Sequence, residues 1–196
     1  MAVAVSNVSP GRRVTGSEAS RPIVCPTAEH GIGSVITNPE SPQLIAGVVA
    51  EAAALWPDDR GYFLEVARMG KGLAGRMNPA EAQVSAALSY PGTIKAFHYH
   101  QLQADYWTVA AGMLQVALVD LREESPTFGL RNTLYLGTLR PWRLWIPPGV
   151  GHGYKVIGEQ PAVLVYLTSR QYDPADEGRI PYDDPGIAYD WELQHK

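Results

Sequence analysis

Between residues 83 and 168 turn residues cut the chain into short extended runs at nearly regular intervals, and no other feature restricts its fold as much. The runs are Gln83–Tyr90, Thr93–His100, Tyr106–Ala110, Met113–Asp120, Asn132–Leu136, Arg143–Ile146, Gly153–Val156 and Val163–Thr168. Between them stand Pro91-Gly92, Gly112, Ser125-Pro126, Pro147-Pro148-Gly149 and the stretch from Gly158 to Pro161. About eight strands so spaced predict an all-β sandwich or jelly-roll barrel. The 19 Gly and 16 Pro among 196 residues supply the turns.

Upstream the pattern loosens. Residues 1–42, rich in Ser, Pro, Gly and Thr, are expected to form an N-terminal arm, partly disordered or lying over a neighbour. A single domain follows from 43 to 196, a length that suits one core. The run LIAGVVAEAAAL (44–55) is open between helix and strand. WPDDRG (56–61) predicts a turn, YFLEV a strand, and residues 67–82 a short peripheral helix and loop.

Charge narrows the partners. With 16 basic and 20 acidic residues the net charge is −4, so no general attraction to nucleic acid or anionic membrane is expected. No apolar run approaches the roughly 20 residues of a membrane span, and the N-terminus lacks an apolar signal core. A cytoplasmic protein is expected. The one cysteine, Cys25, excludes an internal disulfide and predicts an incidental thiol.

Three of the five histidines fall in two tight motifs. The first, GTIKAFHYHQLQADYWTVAAG (92–112), spaces Gly92, His98, His100, Asp105 and Gly112; the second, PPGVGHGY (147–154), places His152 after Pro147 and Gly149. Together they resemble the two-part cupin signature, with Asp105 where a glutamate is usual. Residues two apart on a strand leave the same face, so His98 and His100 both point inward. Three neutral imidazoles and a carboxylate converging in a barrel make a ligand set for Fe, Mn, Ni, Zn or Cu. A metal-free polar interior is the other reading of the same residues.

Further strings resemble the dTDP-4-dehydrorhamnose 3,5-epimerase family, a cupin branch that normally works without metal. They are DDRGYFLE (58–65), KAFHYH (95–100), VDLREESPTFG (119–129), LWIPPGVGHGY (144–154), VYLTSRQYDPADEGRIPYDDP (165–185) and IAYDW (187–191), all collinear. The resemblance implies a cupin double-stranded β-helix and a homodimer. It also implies epimerisation of a nucleoside-diphospho-4-keto-6-deoxysugar at one or two carbons. His98 takes the base position and Tyr166 the acid position. Arg60, Glu65, Gln83, Lys95, His152, Tyr172 and Glu177 match positions that hold the nucleotide sugar.

The departures cluster at the site. Asp105 stands where the family has a lysine that steadies the enolate oxygen, and Lys95 where it has an arginine. His100 replaces a residue commonly glutamine, and the family aspartate that pairs with the base lies in a segment expected beyond Lys196. Two alternatives therefore accompany the epimerase reading. One is a metal-dependent cupin enzyme using His98, His100, Asp105 and His152; the other is a non-catalytic binder of sugar nucleotides.

Overall fold

A computed structural model describes residues 22–192. In chain order its strands are β1 (Ser34–Val35), β2 (Val49–Ala52), β3 (Leu55–Asp58), β4 (Gly61–Leu64) and β5 (Gln83–Ser89), then β6 (Ile94–His100) and β7 (Asp105–Ala111). β8 (Met113–Asp120), β9 (Arg131–Gly137), β10 (Trp142–Ile146), β11 (Val150–Ile157), β12 (Ala162–Thr168) and β13 (Glu177–Arg179) follow. All eight expected runs are strands. One 3-10 turn, Gly72–Arg76, is the sole helix among the described residues.

The strands form a six-stranded sheet, β1-β9-β8-β11-β6-β13, and a five-stranded sheet, β2-β10-β7-β12-β5. Every pairing is antiparallel except β1 with β9, as in a jelly roll. Between the sheets Leu114, Val116 and Leu118 of β8 meet Trp107, Val109, Leu144 and Leu164 of the opposing strands. A second apolar layer covers the outer face of the six-stranded sheet, where Phe97, Tyr99, Ala117 and Val119 pack under Ile187, Tyr189 and Trp191. β8 is thus covered on both faces, which is why its hydrophobic residues run almost without interruption.

β6 shows how alternation serves both layers. Phe97 and Tyr99 turn outward into the second layer, while His98 and His100 turn inward. The polar residues of the motif therefore face the interior because their neighbours are needed on the other side.

Two local expectations are corrected and one open reading is resolved. WPDDRG is mostly strand: Leu55–Asp58 pairs with Gly61–Leu64, and only Asp59 and Arg60 turn. Pro57 is tolerated because β3 pairs with β4 alone and needs no second ladder. The ambiguous run contains β2, an edge strand paired with β10, and reaches the first residue of β3, because the sheet offers Val49–Ala52 a ladder that an isolated helix would lack. Of the segment expected as an arm, residues 1–21 lie outside the described residues. Residues 22–42 lie on the chain's own barrel, with Ile23, Cys25 and Ile36 buried. Burial and Asp184 push the Cys25 thiol up to about 12, so it stays protonated and inert.

Candidate active site

Where β6 and β11 face β5, β7 and β12, the interior opens into a cavity of about 290 Å³. Gln83, Lys95, His98, His100, Asp105, His152, Tyr166, Tyr172 and Glu177 all line it. His98 and Tyr166 approach from opposite sheets, on β6 and β12.

Two expected residues lie elsewhere. Arg60, on the β3–β4 turn, bonds Asp58 at 2.6 Å and its side chain is 83% exposed. Glu65 accepts a hydrogen bond from Arg68 Nε at 3.0 Å and stands 3.7 Å from Arg143. It belongs to a separate polar hollow with Glu51 and Arg143.

The buried end of the cavity is a closed polar cluster. His152 lies opposite His98 in the β11–β6 ladder, and its ring stacks on His100 with centroids 5.6 Å apart. Its Nδ1 lies 3.0 Å from the Val150 carbonyl, which fixes the tautomer with hydrogen on Nδ1. Its Nε2 then faces Oδ2 of Asp105 at 3.5 Å. Gln103 and Trp107 donate to the two Asp105 oxygens at 2.8 and 3.2 Å. The ligand atoms of His100, Asp105 and His152 lie within 4.8 Å of one another.

His98 is not in that cluster, so the expected four-ligand set contracts to three. Its Nδ1 instead lies 3.3 Å from Oε1 of Glu177. Burial, then the neighbouring His152, lowers the His98 pKa, and Glu177 partly opposes them. Burial above all holds His152 below the ordinary imidazole range. Both rings are therefore neutral near pH 7.

Sequence reading overlooked Gln103, Trp107 and Arg179 as cavity residues. Trp107 lies two beyond Asp105 on β7, and Arg179 two beyond Glu177 on β13. The same two-residue rule that placed the histidines would have found Trp107, whereas β13 is too short for that rule to reach Arg179 from sequence.

Comparison with known proteins places the chain in a family. The family model described as dTDP-4-dehydrorhamnose 3,5-epimerase matches residues 42–196. The spore coat polysaccharide biosynthesis protein SpsL of Bacillus subtilis is 43% identical over 155 residues, 78% of this chain and 100% of that protein. The probable low-salt glycan biosynthesis epimerase Agl13 of Haloferax volcanii is 36% identical over 70% of this chain and 88% of that protein. RmlC of Legionella pneumophila, a dTDP-6-deoxy-D-glucose-3,5-epimerase solved with dTDP-4-keto-L-rhamnose, superposes with a TM-score of 0.66. That match has 29% identity and covers 81% of this chain and 84% of RmlC. A double mutant of ChmJ, a 3'-monoepimerase from Streptomyces bikiniensis in complex with dTDP, has a TM-score of 0.66 and 28% identity over 76% of each chain.

Proposed function

Since the chain belongs to the dTDP-4-dehydrorhamnose 3,5-epimerase family, we propose that it epimerises a dTDP-linked 4-keto-6-deoxysugar with His98 as base and Tyr166 as acid. The observation that carries this reading is their placement on facing sheets of one cavity. A sugar ring between them exposes opposite faces to a neutral imidazole and a phenol. His98 removes the proton beside the ketone, and Tyr166 supplies one from the other side. Lys95 and Arg179 bring positive charge to the same cavity, where a diphosphate needs it, and exposed Tyr172 is suited to stack on the base. Proton NMR in deuterated water tests the assignment. The native protein should exchange a ring proton of dTDP-4-keto-6-deoxyglucose for deuterium, and His98→Asn and Tyr166→Phe should each stop net epimerisation. Full exchange by His98→Asn would refute the role of His98.

The three-residue cluster supports a second element of this reading. Two imidazoles and a carboxylate, all buried, fit a divalent transition metal, and Asp105 and His152 turn acceptor atoms toward each other. A cation held by His100, Asp105 and His152 would supply the positive charge that a family lysine supplies to the enolate oxygen. Because His98 lies outside the cluster, it stays free as a base.

The active form in this reading is a homodimer. Val84, Leu88 and Tyr90, on or next to edge strand β5, are 66, 57 and 70% exposed. Trp56 and Phe63 of the β3–β4 hairpin are 54 and 64% exposed. Such an edge with apolar neighbours is suited to be covered by a second copy. The same copy would present its Arg60 and Glu65, which lie outside their own chain's cavity. Light scattering should give twice the 21.3 kDa of the chain.

A further inference from the structure

β13 has three residues and pairs only with β6, in the register Glu177↔His100 and Arg179↔His98. Its glutamate matches a family position that holds the substrate, yet here the carboxylate is already occupied. Oε1 of Glu177 accepts a hydrogen bond from Arg179 Nε at 2.6 Å and stands 3.3 Å from Nδ1 of His98. The side chain is only 12% exposed, against 35% for His98 and 41% for Arg179. Arg179 thus pins the oxygen that His98 meets.

We infer that Glu177 is the positioning residue of the base: clamped by Arg179, it holds the hydrogen of His98 on Nδ1 and turns the Nε2 lone pair to the substrate. The inference rests on the epimerase reading of the cavity and reassigns one residue within it. In the reaction Nε2 takes the proton from carbon beside the ketone, and the positive charge of the resulting imidazolium develops next to the Glu177 carboxylate. Tyr166 gives its proton to the opposite face of the same carbon. The imidazolium then returns a proton through water to the phenolate, so the protein ends as it began. A carboxylate so placed acts on the ring's tautomer and on its developing charge, both of which matter to the transition state more than to binding.

Kinetics and nitrogen NMR test this together. In Glu177→Gln, kcat should fall on the order of a hundredfold while KM stays within about threefold. A substrate-holding glutamate would instead raise KM and spare kcat, and that result overturns the inference. In the native protein the neutral His98 ring, assigned by its loss in His98→Asn, should carry hydrogen on Nδ1. In Glu177→Gln that preference should weaken. A native ring with hydrogen on Nε2 overturns the inference even if Glu177→Gln misfolds. Failure of the epimerase reading is separate, since it appears as native protein that exchanges no substrate proton while the tautomer is still measurable.

Discussion

Nε2 of His152 faces Oδ2 of Asp105 across 3.5 Å, with Nδ1 of the same ring 3.0 Å from the Val150 carbonyl. Both facing atoms are hydrogen-bond acceptors, and both side chains are about 95% buried. Such a pair is stabilised by a cation, a proton or a bridging water that serves both acceptors.

A metal titration of chelator-treated protein follows. Zinc or manganese should bind at one site per chain, measured by calorimetry. His100→Ala and Asp105→Asn should abolish that site, and His98→Asn should leave it intact. Loss of metal in His98→Asn would restore the four-ligand set and remove His98 as a free base.

Ligand binding should depend on a residue from each subunit. Lys95→Ala and Arg60→Ala should each weaken dTDP binding at least tenfold, more so at low salt. Mixing Arg60→Ala protein, impaired on dilute substrate, with inactive His98→Asn protein should raise epimerisation at dilute substrate. A mixed dimer then contains one cavity with an intact His98 and an intact partner Arg60. No recovery after subunit exchange would place Arg60 outside the site.

Gly178 should tolerate no side chain. A Cβ there would fall 2.0 Å from Cζ of Tyr99, which is buried and cannot swing aside. Gly178→Ala should cost about 1–3 kcal/mol by overpacking. It should also reduce kcat by pushing Glu177 away from His98. Unchanged melting temperature and unchanged kcat would contradict the β13–β6 packing.

Asp120 should govern acid stability. Burial raises its pKa, but hydrogen bonds from Arg122, Ser125 and Thr127 outweigh burial and hold it below the usual carboxylate value. Its contribution is therefore complete above about pH 3.9 and is lost as pH falls through the lowered value. Asp120→Asn should cost about 3–5 kcal/mol in urea unfolding, since it leaves the buried Arg122 unpaired. The SPTFG string of the sequence thus serves largely as a brace around this carboxylate.

What could be read beforehand follows from periodicity. Phe97 to His100 alternate, so the strand and the inward histidines are legible from spacing, whereas Lys95 reaches the cavity only through a register shift that spacing does not show. Glu-Gly-Arg of β13 is too short to show a period, and it is strand only because β6 offers it a free edge. The family motif alone assigns Glu177 to substrate, and the contact of its carboxylate with His98 shows only in the folded chain. Ile23, Cys25 and Ile36 were hidden for another reason: they are buried from irregular backbone lying on or beside the barrel, a burial that carries no sequence rhythm. Arg60 and Glu65 match the family motifs yet fall outside their own chain's cavity, because motif strings carry chemistry without showing which surface presents it.

β13 joins the barrel through one neighbour and three residues, whereas β8 is flanked on both sides. Short edge segments open locally at a free energy well below that of global unfolding. The contact of Glu177 with His98 therefore depends on an equilibrium of its own, separate from that of the barrel. A substrate that contacts Arg179 would draw this equilibrium toward the closed strand. Amide hydrogens of Gly178 and Arg179 that exchange quickly in free protein and slowly with dTDP bound would report that coupling directly.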